Sequence, residues 1–426
     1  MINFGVVELV FKKNLWIFCH YAQQPPFNTM LRYHNWGKYL QERGFDVTIV
    51  SASTVHNTSI DVITKLENCN EQYCDGVRYL YIPTPRYTGN GLSRIWNMLS
   101  YCKGIKAFKK NSDNIDCIVF CGAYLFPFVS HHFKNIPIVC DTVDLWPLSI
   151  VEYTSVSSKN IFIKFLYWIE KVAYINCDAL IFSMEGGSEY ISERVYAEKV
   201  NPNKIFNINM GCDLAEFDKN LINTRDQNLE KKSDFIITYS GSIRIANQIL
   251  QICEAAKILQ DCGNSQIKFR IFGNGPAEAE IKNYCSLNKL KNIEFYGRFN
   301  KSDIPNILSS SDANIMTYKQ TGVMKYGGSQ SKLFDYLASG KPIINCGDWG
   351  YNLILRYNCG IAVKEQTGRN IAEAVLALYE LPKSELFEMG KRARGAAELY
   401  DQPKIVNDLQ KVIEFTTNIY YKKREE

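Results

Sequence analysis

Short apolar runs alternate with helix-length segments along nearly the whole chain, and they do so in two successive series. The first comprises Leu15–Cys19, Val47–Val50, Asp116–Phe120, Ile136–Cys140, Ala179–Phe182 and Lys204–Ile208. The second comprises Phe235–Tyr239, Ile267–Phe272, Ile293–Phe295, Ala313–Met316, Pro342–Ile344 and Ile361–Val363. Runs that are apolar on both faces belong to parallel sheets covered by helices on both sides. A polar, charged stretch over 213–234 separates the two series. The pattern predicts an α/β protein of two doubly wound, Rossmann-like domains facing across a cleft. We place a first domain at 1–215, a connection at 216–234 and a second domain at 235–405. A last helix over 406–426 is expected to cross back to the first domain.

Composition narrows the class further. Of 426 residues, 46% are apolar and 22% charged, the balance of a globular protein rather than a disordered or collagen-like one. The net charge of +5 is too mild to point to nucleic acid, although it suits weak attraction to an anionic membrane surface. Residues 1–13 hold Glu8, Lys12 and Lys13 and no small-residue cleavage site, which argues against a signal peptide. No run of about 18 apolar residues predicts a membrane-spanning helix. The fourteen cysteines include no Cys-x-x-Cys pair. Cys19, Cys117, Cys121, Cys140 and Cys177 sit in or beside apolar runs, as small hydrophobes do. Cys69 and Cys74 are close enough to share a metal, but no histidine is near them in sequence, so no metal is expected. A reduced, cytoplasmic protein is.

Three loops of the second half follow strands and lead into helices, the positions that gather at the ligand-binding edge of an open sheet. In Tyr239–Arg244, Gly241 permits close backbone approach beside Ser242, and Arg244 offers a charge-assisted donor for phosphate. In Phe272–Pro276, Gly273-Asn274-Gly275 makes a tight turn and Pro276 suits the first helical position. Each of these has an ordinary alternative, a glycine turn needed for shape alone. The third loop, Tyr326–Pro342, passes Gly327, Gly328 and Ser329 into a helix carrying Lys332 and Asp335. The amides and partial positive charge of a helix start suit an anion, an adjacent lysine strengthens the site, and a carboxylate one turn on can accept ribose hydroxyls. The ordinary alternative is a solvated Lys332–Asp335 ion pair.

These stretches, with Ile293–Arg298, Ser309–Ala313 and Ser331–Ile343, resemble the nucleotide-sugar domain of glycosyltransferase family 4, which has the GT-B fold. In the first half, Asp144-Leu-Trp-Pro147, Ile181–Gly187, Asn209–Asp213 and Met30–His34 are similar to a bacterial capsule and O-antigen branch of that family. The resemblance implies sugar transfer from a nucleotide-linked donor, a UDP-sugar above other nucleotides, with retention at the anomeric carbon and without a metal or other cofactor. By position, Lys332 stands for the diphosphate-binding lysine and Asp335 for the ribose-binding acid. Gly241 and Arg244 face the diphosphate, and Gly297 and Arg298 meet the base. Three positions depart from the family pattern: Gly327 replaces its first glutamate, Asn247-Gln248 its Lys-Gly, and Val143 the arginine before Asp144.

The acceptor is expected against the first domain. Asp144 follows a strand and precedes the aromatic wall of Trp146; its ordinary alternative is a helix cap. Arg32, His34 and Glu185 are further acceptor candidates, with a surface histidine and a plain glycine turn as their alternatives. The branch suggests a lipid-linked acceptor, and residues 94–110 form a basic amphipathic segment suited to an inner-membrane surface. The aromatic segment 161–174 reads instead as a helix packed on the sheet. Two further readings keep the fold: a nucleotide-sugar epimerase, for which no carboxylate pair is found, and a degenerate sugar-nucleotide-binding subunit. A dehydrogenase is set aside, because the first βαβ unit lacks Gly-x-Gly-x-x-Gly.

Overall fold

The computed structural model describes residues 13–28, 30–63, 70–89, 91–154, 156–223, 229, 234–328 and 330–425. The first sheet contains β1 (Lys13–Phe18), β2 (Phe45–Ala52), β3 (Asn70–Cys74), β4 (Val77–Ile82), β5 (Cys117–Cys121), β6 (Ile138–Thr142), β7 (Ala179–Phe182) and β8 (Ile205–Asn207). Its strand order is β3-β4-β2-β1-β5-β6-β7-β8. Helices α1 (Arg32–Gln41), α2 (Leu92–Ile105), α3 (Leu125–Val129), α4 (Leu148–Tyr153), α5 (Ile161–Asn176) and α6 (Gly187–Ser192) accompany it. Leu15, Ile17, Val47, Ile49 and Val119 face one core and Trp16, Phe18, Val50, Ile118 and Phe120 the other. Both faces are therefore apolar, and the alternation along each strand supplies the two layers.

The second sheet contains β9 (Phe235–Ser240), β10 (Ile267–Phe272), β11 (Ile293–Gly297), β12 (Ala313–Met316), β13 (Ile343–Cys346) and β14 (Gly360–Val363), in the order β11-β10-β9-β12-β13-β14. All of its pairings are parallel. The order reverses direction between β9 and β12, so the loop after β9 lies at the switch point where open α/β sheets bind ligands. Between the sheets runs α7 (Leu214–Asn223). The second half carries α8 (Ile249–Asp261), α9 (Glu278–Leu287), α10 (Ile304–Ser309), α11 (Ser331–Ala338), α12 (Leu353–Arg356), α13 (Gly368–Tyr379) and α14 (Lys383–Leu399). Helix α15 (Gln402–Glu425) then packs on α1 and β6 of the first half.

Three elements differ from the sequence expectation. The polar connection begins as α7, whose Leu214 and Phe217 are buried, because two apolar residues three apart suffice to seat one face. Strands β3 and β4 form an antiparallel hairpin turning at Asp75-Gly76, both with positive φ (49° and 79°). The polar β3 gives little apolar signal for a strand, and its Glu71 and Tyr73 are solvent-exposed. The described cysteines are free of disulfides. No helix among the described residues is long and apolar enough to cross a membrane. Ser329 and Cys69 lie outside the described residues.

Candidate functional site

Lys332 occupies the first turn of α11, directly after the glycine loop. Its Nζ lies 4.5 Å from the centre of the Tyr318 ring and 4.9 Å from that of Tyr239. It also stands 3.4 Å from the Tyr239 hydroxyl. Aromatic faces partly offset the cost of removing an ammonium from water, but burial still lowers the Lys332 pKa to about 7. No carboxylate pairs with it among the described residues; in particular the i,i+3 pair with Asp335 is not made. The nitrogen points back at the β9 loop, where a side chain on Gly241 would come within 3.1 Å of it. Gly241 (φ 147°) thus gives Nζ and backbone room to share one spot.

The loop after β10 holds the Gly241 loop in place. Gly241 N–H donates to Phe272 O, and Ile243 N–H to Asn274 O, each at 2.9 Å. A Cβ on Gly273 would sit 1.8 Å from Gly241 O, and one on Gly275 would sit 2.3 Å from Ile243 O. Gly273 and Gly275 therefore serve loop-on-loop packing first, and Asn274 is left exposed. Asn247 braces the same loop from the other side, its Nδ2 donating to Ser242 O (2.6 Å) and Ser242 Oγ (3.0 Å). Arg244 is exposed beyond this turn, without an ion pair among the described residues. Its charge reaches His56 of the first half, whose pKa is lowered chiefly by burial and then by Arg94 and Arg244.

Asp335 faces a different part of the cleft, a cavity of about 530 Å³ shared with Arg298, Lys301 and Ser331 from the second half and Arg32 and Asp213 from the first. Burial raises the Asp335 pKa, Lys301 opposes that, and Cys212 Sγ–H donates to Oδ1 at 3.5 Å. Gly297 (φ 72°) marks the bulge from which Arg298 enters this cavity. Gly327 and Gly328 line a smaller space beside Trp349 and Glu185.

On the first half, Asp144 and Trp146 line a cavity of about 200 Å³ with Tyr21, Arg94 and Tyr124. The Asp144 carboxylate is open to cleft water yet crowded by protein, which raises its pKa. It caps no helix, since α4 starts after Pro147 without a side-chain cap. Three acceptor candidates are each engaged by partners within the protein. Arg32 is buried and spends its donors on Asp141 (two bonds of 2.9 Å), Ile208 O and Asn209 O. His34 is turned away from these cavities, toward Tyr79 and Asp75. Glu185 is held in a bidentate pair with Arg356 at 2.9 and 2.8 Å. Beside it, Gly186 N–H donates to Tyr326 O (2.9 Å), and a Cβ there would come within 2.7 Å of the Tyr326 backbone. This close backbone contact joins the two halves. Sequence alone does not single out Tyr239 or Tyr318, because an aromatic in or just after a strand reads as core until the lysine above it is placed, and it reads Arg94 only as part of a basic segment and not as a cavity residue.

Comparison with solved structures settles the architecture. The fold is GT-B. The chain is similar to a sucrose-phosphate synthase from Thermosynechococcus elongatus (13% identity, TM-score 0.72, covering 95% of this chain and 98% of that one). WaaG, a glycosyltransferase involved in lipopolysaccharide biosynthesis, aligns at 13% identity and TM-score 0.64 over 94% and 99%. HepE of Anabaena in complex with UDP-glucose aligns at 12% identity and TM-score 0.63 over 95% and 99%. Residues 222–396 match the family model of the glycosyl transferases group 1. No curated protein sequence matches the chain. The domain match and the GT-B fold together support a glycosyltransferase.

Proposed function

We propose that this GT-B chain transfers a sugar, with retention and without a metal, from a UDP-sugar to a lipid-linked acceptor of a capsule or O-antigen glycan. The observation that carries the donor half of this reading is the half-buried, carboxylate-free ammonium of Lys332 between two tyrosine rings beside the Gly241 loop. As the sugar–diphosphate bond breaks, negative charge grows on the departing oxygen, and this reading assigns Lys332, Arg244 and the start of α11 to receive it. Asp335 accepts from the ribose, and Arg298 lies on the base side. Asp144, on the wall of its cavity, faces the acceptor or the donor sugar. UDP as the leaving group is supported by HepE, solved with UDP-glucose. Calorimetric titration with a panel of nucleotide sugars, followed by product analysis with membrane extract, tests the reading. UDP-sugar binding with transfer is expected; transfer from a non-uridine donor, or binding without turnover, overturns it.

The acceptor half rests on one surface of the first domain. Leu92, Trp96 and Leu99 of α2 are exposed in a stripe that continues into Lys103 and Lys106. Helix α5, expected to be packed, buries Ile163, Leu166 and Ile169 but leaves Ile161, Phe162, Phe165 and Trp168 outside. Helix α3 lies between α2 and α5, so the two stripes belong to one side of the domain, and Arg94 and Met98 of α2 also line the Asp144 cavity. Aromatic and aliphatic side chains ringed by lysines suit an anionic lipid interface. Reversing Lys106, Lys109 and Lys110 to glutamate is expected to weaken co-sedimentation with anionic vesicles at least about 100-fold, at about 1 kcal/mol per lysine lost. Salt should weaken the wild type in the same direction.

A further inference from the structure

On the first domain, among residues that line neither the Asp335 nor the Asp144 cavity, the fold brings together three groups that are far apart or inconspicuous in sequence. His34 lies on α1, and Cys74 and Asp75 lie at the β3–β4 turn. His34 Nε2 is 3.0 Å from Asp75 Oδ2, and Cys74 Sγ is 3.9 Å from the same oxygen. One ligand atom from each of the three residues fits within a 4.8 Å span. We propose that His34, Cys74 and Asp75 form a three-residue site for a divalent transition metal, zinc by its donor set, that pins α1 to the β3–β4 hairpin.

A mixed thiolate, imidazole and carboxylate set belongs to zinc rather than to calcium or magnesium, which take oxygen donors. Zinc bonds of roughly 2.0–2.3 Å in a tetrahedron place ligand atoms about 3.3–3.6 Å apart. The observed separations reach that range by small rotations of Asp75, whose side chain is 65% exposed, and of the half-buried Cys74. The imidazole needs no movement. Its Nδ1 is 2.8 Å from the hydroxyl of Tyr79, a fully buried residue of β4. That is the outer contact that fixes a ligating histidine's ring and tautomer. The ligating form is the neutral tautomer whose single ring proton sits on Nδ1 and is donated toward Tyr79 Oη, which leaves the Nε2 lone pair free, and the Cys74 thiol gives its proton to solvent. The metal then sees a neutral imidazole, a thiolate and a carboxylate, with the fourth position open to water. The ordinary alternative, a His34–Asp75 hydrogen bond with Cys74 as a bystander, predicts no metal.

The full chain, stripped with chelator, is titrated with zinc against a chromophoric chelator and, separately, with cobalt. One zinc per chain is expected, together with a thiolate-to-cobalt charge-transfer band. Cys74→Ser and His34→Asn should each weaken zinc at least about 100-fold, and Tyr79→Phe about ten-fold, the usual scale for outer contacts. Zinc should raise the Tm of the wild type but not of Cys74→Ser. Cys262, exposed on the second half, is changed to serine as a control and should alter nothing. Absence of the cobalt band, or wild-type zinc affinity in Cys74→Ser, overturns the site. Should His34→Asn fail to fold, Cys74→Ser at the turn decides alone.

Discussion

Replacing Lys332 by alanine is expected to lower turnover of the nucleotide-sugar donor by about 10²–10³, the usual cost of removing one preorganised donor from a developing anion. Folding should not suffer. The side chain's pKa falls from the usual 10.5 to about 7 on folding. Its charge therefore costs stability in full below pH 7, and the cost fades as pH rises toward 10.5. The variant should accordingly melt no lower than wild type, and its advantage should be greatest at acid pH. Binding carries the opposite sign. A diphosphate favours the ammonium, so the occupied site holds more proton than the empty one, and donor affinity should fall above pH 7 by up to about ten-fold per unit. Lys332→Ala should lose that slope. Rate assays, thermal melts and titrations across pH 6–9 check these three points. Unchanged turnover, or a pH slope that survives the substitution, would remove Lys332 from the reaction.

Arg32→Ala should show the reverse pattern, a large stability loss with no specific kinetic signature. The guanidinium and the Asp141 carboxylate are both sealed from solvent, at 0% side-chain exposure. Tyr33 Oη–H adds a third bond to that carboxylate at 2.9 Å. The Arg32 guanidinium also lies 4.3 Å from the Trp36 ring and ties α1 to the backbone at Ile208 and Asn209. Removing one partner leaves Asp141 buried and uncompensated, a loss of about 3–5 kcal/mol. Denaturant titration measures it directly. A loss below about 1 kcal/mol would show that water or Tyr33 makes good the missing charge.

The contrast between these two cations explains how much of the site could be read from the chain. Lys332 is announced locally, by the glycines before it and the helical period after it, and nothing distant has to be known to see that it follows a strand edge. Arg32, His34 and Glu185 stand at equally suggestive positions, but each is claimed by a partner 109, 41 or 171 residues away. Such pairings exist only after the sheets assemble. The strands divide in the same way. Most buried parallel strands declare themselves by apolar runs, but β4, interrupted by Arg78, does not stand out, and β3 is held by its hairpin partner and gives no such run. Gly273 is legible as a turn, but its reason, the carbonyl of Gly241 where a methyl would go, belongs to a contact between two loops. Cys74 lacks a histidine in sequence because His34 arrives from the neighbouring helix.

Helix α15 gives the order of assembly a particular form. It lies on α1 and β6, Phe415 meets Phe206, and Gln402 bonds Met210 O. Val406, Leu409 and Ile413 share one core with Trp36 and Leu40. A ribosome delivers β1–β8 of the first lobe early, yet one wall of that lobe is a helix that follows the whole second sheet in sequence. Until α15 emerges an apolar flank of α1 stays wet, and the nascent lobe has a seam that waits for the other lobe to be made first.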